Sequence, residues 1–147
     1  MSSTFSSRPL FPNLPPPAEC LAILFACTQL TVFGLGGLAN PIDWSKGYGL
    51  PIDAAAEAEK TQIALVSALA TRNIRHAALI LALACYARDR RAVGLALAVN
   101  CISSLADTCI VRWFGTAQQV SLHVGGLLSS AGLSMVLLKW GRDDAWW

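Results

Sequence analysis

The stretch TQIALVSALATRNIRHAALILALACYA, residues 61–87, decides how the rest of the chain is read. It is long enough to cross a bilayer, for which about 20 mainly apolar residues suffice. Its centre, however, holds Arg72, Arg75 and His76. A central arginine costs roughly 2.5–3.5 kcal/mol on insertion, whereas each Leu, Ile or Val returns only about 0.3–0.6 kcal/mol. The Leu, Ile and Val residues of this run therefore do not offset two guanidinium groups. A helix built from it must turn its cations away from lipid and toward protein.

The surrounding sequence offers such partners. Charged residues make up 14% of the 147 and hydrophobic ones 54%, against about 25% charged in ordinary soluble domains. Mean hydropathy is positive. Three further apolar runs bring the expected set to Ala18–Ala39, Thr61–Ala87, Ala92–Phe114 and Gln118–Trp140. The expected fold is all-α, a four-helix transmembrane bundle with a short interfacial loop between its first two helices. Residues 1–17 read as a disordered Ser- and Pro-rich tail, 18–140 as one membrane domain, and 141–147 as a C-terminal tail.

Charge placement orients the chain. Arg8, Arg88, Arg90, Arg91, Lys139 and Arg142 fall on one side of such a bundle, and Lys46, Lys60 and Arg112 on the other. The positive-inside rule then puts both termini in the cytoplasm of a multi-pass membrane protein. The first apolar run is too long and lacks the basic lead of a cleavable signal peptide. With a net charge of +2 and no large basic cluster, no nucleic-acid partner is expected. Membrane lipid is. The five cysteines lie in apolar segments without a C-x-x-C pair and read as small buried hydrophobes.

Each expected helix carries a polar stripe. Arg72, Arg75 and His76 share one face, as do Asn100, Ser103, Ser104 and Asp107 on the third run. Gln119, His123, Gly126, Ser130 and Ser134 line the fourth, and Gln29, Gly36 and Asn40 the first. Such helices are polar toward one another and apolar toward lipid. Depth brings three of these residues together. Arg72 and Asp107 stand equally far from a turn centred between Asp89 and Arg90, and the Gly115–Thr116 turn sets Asp107 level with the neighbourhood of His123. Asp107 is the only carboxylate deep inside an expected span, and an Arg–Asp pair is the cheapest way to bury either charge.

Three uses of this layer stay open. It either fixes helix register or forms a binding or catalytic centre, with a proton or ion pathway as a third use. In a catalytic centre Asp107 and His123 act as the acid–base groups, and Arg72, Arg75, His76 and Asn100 hold the substrate. The ligand would be a lipophilic small molecule entering from the bilayer. No nucleotide, redox or metal-ligand spacing is present, so no cofactor and no metal are expected. Isomerisation or cyclisation fits that inventory. The alternative is a non-catalytic scaffold or partner subunit, in contact with a membrane protein or a second copy of the chain. The segment Pro41–Lys60, with Trp44 and Tyr48 suited to the headgroup region, is either an interfacial connector or a lid.

The motifs Asn40-Pro41, Gly47-Tyr48-Gly49-Leu50-Pro51, Arg72-Asn73, Leu105-Ala106-Asp107 and His123 together resemble domain-of-unknown-function family 4267. The resemblance covers roughly Leu21 to Leu138. It implies a small four-helix membrane protein of the kind found in bacteria and fungi, and it carries no established activity. Family members often follow the arginine with Asp, where this chain has Asn73. Fungal members that look like parts of secondary-metabolite pathways imply an enzyme.

Overall fold

A computed structural model describes residues 16–53 and 58–139. Five helices make up the described chain: α1 (Pro17–Ala39), α2 (Pro41–Tyr48), α3 (residues 59–87), α4 (Arg90–Phe114) and α5 (Ala117–Lys139). The tails expected at 1–17 and 141–147 lie almost wholly outside the described residues.

Two features correct the expected four-helix transmembrane bundle. First, three helices, α1, α4 and α5, are long and apolar enough to cross a membrane. α3 is not among them, because Arg72, Asn73, Arg75 and His76 interrupt its apolar run. Second, the supposed loop holds a helix of its own. Pro41 starts α2 with its φ already helical, and Asn40 caps it, its Oδ1 accepting from the Asp43 N–H at 3.2 Å. Hydrogen bonds from Lys46 and Asn40 hold the Asp43 carboxyl below the usual carboxylate range. Gly49 ends the helix at φ 98°, a left-handed conformation open to glycine. Caps and a lone proline outweigh the loop-like composition of this segment.

The outer surface is apolar. Leu24, Leu65, Val99, Ile102, Leu122, Leu128 and Met135 are all more than half exposed, a pattern that in water would mark an adhesive patch. Here it is the lipid-facing skin of a multi-pass membrane protein.

Small residues set the packing inside. α1 and α3 run antiparallel, with Ala22 and Ala26 buried in one cluster with Ile80 and Ala84. Further along, a Cβ at Gly34 would stand 2.5 Å from Ile74, and one at Gly37 would stand 2.9 Å from Ala70 and 3.3 Å from the Trp44 ring. Between these contacts α1 widens into a π-helical turn at Gln29–Leu35. Two carbonyls of that turn serve neighbouring helices: Val32 accepts from the Trp44 indole at 3.1 Å and Phe33 from the Asn73 amide at 3.4 Å. α4 and α5 are joined differently, by Ser130 donating to the Leu97 carbonyl at 3.0 Å and Ser134 to that of Gly94 at 2.9 Å. Serine hydroxyls shared between membrane helices contribute about 0.6 kcal/mol each on average.

A second ion pair closes one end. Arg90 donates to Glu19 at 2.9 Å and to the carbonyls of Leu137 and Val136 at 3.1 and 3.2 Å. The start of α1, the start of α4 and the end of α5 therefore meet at a single side chain. Glu19 is buried and reads in the sequence as an ordinary first-turn residue.

Replacing Gly37 by Leu inserts a side chain against Ala70 and Trp44, and overpacking of this kind costs about 1–3 kcal/mol. Gly132, where an added Cβ would meet nothing within 4 Å, accepts the same change. Thermal unfolding in detergent should show a lowered Tm for Gly37→Leu and an unchanged one for Gly132→Leu.

Candidate functional site

Helices α3 and α4 meet at the expected pair. Arg72 donates from Nη1 to Asp107 Oδ1 at 3.0 Å and from Nη2 to Oδ2 at 2.5 Å. The planar guanidinium matches both carboxylate oxygens, the strongest arrangement such a pair can adopt. Asp107 is buried, and the Arg72 side chain is 28% exposed.

Asp107 also lines a cavity of about 280 Å³ to which all five helices contribute. Phe25, Phe33 and Leu122 form apolar wall, while Gln29, Tyr48, Asn73, Ser104, Asp107 and His123 contribute the polar groups. Apolar walls with a few convergent polar groups are the usual make-up of a small-molecule site.

His123 is fixed from α2. Its Nε2 lies 2.9 Å from the Tyr48 carbonyl oxygen. A carbonyl only accepts, so Nε2 carries the proton and donates. In the neutral ring Nδ1 is then the basic nitrogen. The Tyr48 ring packs edge-on to His123, with centroids 4.6 Å apart, and stacks on Trp44 at 4.7 Å.

The Tyr48 side chain is itself a site member. It is 7% exposed, not the half-wet headgroup ring that its loop-like sequence suggests. Burial, with the Asp107 carboxylate beside it, pushes its phenol well above the usual tyrosine range and keeps it protonated. Its hydroxyl is buried against the Arg72–Asp107 pair, whereas Oε1 of Gln29 is buried with no hydrogen-bond partner. A buried polar atom left unpaired costs about 1–3 kcal/mol.

The other expected site residues lie elsewhere. Arg75 is exposed, and His76 is half-buried with Nε2 unpartnered. Asn100 is buried with Nδ2 unpartnered. None of these three lines the cavity, and Arg72 reaches it through Asp107. Ser130 and Ser134, from the stripe of α5, are spent on binding α4. Among the described residues no three His, Cys, Asp or Glu side chains converge as a metal site would need, and the five cysteines are free thiols.

Sequence reasoning passes over Tyr48 and Gln29 as site members. The available signal for Tyr48 is its place between Gly47 and Gly49, where glycines let the backbone turn sharply into a neighbour. A Cβ at Gly49 would stand 2.7 Å from Gln119, and the Gly49 carbonyl accepts from the Thr116 N–H at 3.1 Å. The end of α2 thus docks on the α4–α5 turn. Gln29 sits on the polar stripe of α1, which the sequence does show.

A family model described as Domain of unknown function (DUF4267) matches residues 27–140. The chain belongs to this family. No curated protein and no solved structure matches it. The matched DUF4267 region contains both halves of the Arg72–Asp107 pair and every polar residue of the cavity.

Removing one partner of the Arg72–Asp107 pair strands the other as a buried charge. Arg72→Met and Asp107→Leu should each destabilise by about 3–5 kcal/mol, and the double variant by less than their sum. Unfolding titrations of the four proteins in one detergent measure the coupling, and strict additivity would refute the contact's energetic weight.

Proposed function

We propose that this DUF4267 protein binds a small lipophilic molecule in the cavity beside Asp107 and moves a proton within it, as an isomerase or cyclase does. The observation that carries this reading is the shared cavity: a carboxylate, an imidazole with a defined tautomer and a protonated phenol face one space. His123 Nδ1 takes a proton from a carbon next to a carbonyl. The C–H electron pair forms the enolate double bond, and the carbonyl pair moves onto oxygen. Where a C=C adjoins that carbon, the oxygen pair re-forms the carbonyl, the enolate double bond shifts one position along, and the pair of the old C=C takes the proton back from the imidazolium at its far carbon. No oxidant, reductant or cofactor is consumed. Asp107, paired with Arg72, lines the same cavity as His123 and faces the positive charge that develops on the ring. Each of its oxygens keeps an acceptor position beyond the one Arg72 occupies.

A scaffold role is the second reading. The observation in its favour is that both Asp107 oxygens already accept from Arg72, an arrangement that also holds two helices in register. Such a protein would use the polar layer to assemble with a membrane partner or another copy of itself.

We also place both ends of the chain in the cytoplasm. The Arg90 junction gathers the start of α1 and the end of α5 at one end of the molecule, together with Arg88, Arg91 and Lys139. Basic residues mark the cytoplasmic side. Tags at the two termini should share the same protection from protease added outside intact cells. Opposite protection would reverse this placement.

For the catalytic reading, cells lacking the gene should accumulate a lipophilic compound whose isomer or cyclised form is missing. His123→Gln should reproduce that profile at unchanged membrane abundance, since an amide does not take up and return a proton near neutral pH; Asp107→Asn, which also strands the Arg72 charge, should reproduce it at reduced abundance. Unchanged metabolites at normal abundance sink the enzyme. Lost abundance in both variants favours the scaffold.

A further inference from the structure

We propose that the outward face of α3 around Arg75 is the docking surface for a membrane helix of another protein, one that carries an Asp or Glu near its middle. Arg75 is exposed, and among the described residues it makes neither a hydrogen bond nor an ion pair. Its depth makes that costly. α4 is long and apolar enough to cross a membrane, and Arg72 meets it at Asp107. Arg75 lies about 4.5 Å further toward the α3–α4 turn, level with the middle of α4. The hydrocarbon core is about 30 Å thick, so roughly half of it separates Arg75 from either surface. An arginine side chain does not span that distance by snorkelling. A cation at such a depth is paired or lines a cavity, and Arg75 does not line the cavity beside Asp107. The surface is therefore independent of the chemistry proposed there.

The described chain holds no acid for it. Asp107 is spent on Arg72, Glu19 on Arg90 and Asp43 on Lys46. Asp53 and Asp89 stand between helices, and Glu59 at the start of one. A second copy in the same bilayer presents these carboxylates at the same depths, so it offers Arg75 nothing more. The partner is accordingly a different chain. The side chains around Arg75 also differ from the lipid-facing skin. On α1, α4 and α5 that skin includes Leu24, Val99, Ile102 and Leu128. Within about 60° of Arg75 on α3 the exposed residues include Ala68, Thr71, Ala78 and Ala82, with Leu79 beside them. Small side chains let a second backbone come close, near enough for its carboxylate to reach the guanidinium. Inside hydrocarbon the backbone that delivers such a carboxylate must satisfy its own hydrogen bonds, which a helix does.

The test uses the full chain with a fluorescent protein at its C-terminus, in phosphatidylcholine vesicles. The probes are synthetic helices of alternating Leu and Ala, flanked by Lys and carrying an acceptor dye. They differ only in the central residue, which is Asp, Leu or Lys. Energy transfer should show the Asp helix associating about tenfold more tightly than the Leu helix, and the Lys helix least of all. Arg75→Leu should bring all of them to the level of the Leu helix. It should keep or raise the Tm of the chain alone, because Arg75 has no partner there to lose. Ala78→Trp should weaken association with the Asp helix while the charge is intact, since the bulky ring holds the two backbones apart. Equal association of the probes, or a preference that survives Arg75→Leu or ignores Ala78→Trp, overturns the proposal. A lowered Tm in Arg75→Leu gives Arg75 a partner within the chain and overturns it too. If phosphatidylglycerol in the vesicles abolishes the preference, lipid phosphate holds Arg75 and the proposal fails. Energy transfer between differently labelled copies of the chain, without any probe and lost in Arg75→Leu, would give the face to a second copy and overturn the foreign partner.

Discussion

Hydrocarbon cannot solvate a guanidinium, and α3 carries one at Arg72, in the middle of its length. The rest of the structure follows from hiding it. Asp107 must come to the same depth on α4, which requires the short turn after α3 and the antiparallel course of the two helices. Once paired, the two charges occupy a polar layer that water and lipid reach poorly, and other polar residues can join it at little added cost. Gln29, Tyr48, Ser104 and His123 do so, one or more from each surrounding element. The cavity is thus a by-product of the same demand that fixes helix register. Fixing register and binding a ligand are therefore not physically exclusive uses of the layer.

The second demand is close approach. Without a hydrophobic drive between helices already in lipid, association depends on contact area and hydrogen bonds. The chain meets this in two ways. α1 and α3 use Ala22, Ala26, Gly34 and Gly37 to bring backbones together. α4 and α5 use serine hydroxyls on facing carbonyls. Both pairs are then tied at one end by Arg90, whose donors reach a carboxylate on α1 and two carbonyls on α5.

What the sequence shows and what it hides divide along physical lines. The Arg72–Asp107 pair is legible because charges in an apolar run must pair, and helix rise converts distance from a turn into depth. The polar stripes are legible for similar reasons of period, whereas the five cysteines, expected as small buried hydrophobes, are none of them buried: Cys27 and Cys85 are exposed and the other three only partly covered. α2 is not. Its eight residues hold Pro, Gly, Asp and Lys, and nothing local tells a capped short helix from a loop. Whether α3 counts as a membrane-crossing helix is equally hard to read, since length argues for it and the central cations against. Glu19 conceals its partner for a different reason: Arg90 lies 71 residues away, and only the packing of three helix ends brings them together. Arg75 and His76 share a stripe with Arg72, yet a stripe gives direction only to about a quarter-turn, too coarse to separate a cavity wall from an exposed face.

The π-helical turn of α1 has a consequence for phase. Such a turn holds one residue more than the α-helical ladder needs. Counted at a strict α-helical pitch, Gly34 and Ala22 would point roughly a third of a turn apart. The supernumerary residue absorbs that offset, so both meet α3 on one side. Each half of α1 is in step with its own stretch of α3, Ala22 and Ala26 with Ile80 and Ala84, Gly34 and Gly37 with Ile74 and Ala70. Deleting a single residue from Gln29–Leu35 would straighten the ladder and swing every later residue by about 100°. The glycines would leave α3, leucines would take their place, and Asn40 would present α2 to the wrong side of the bundle.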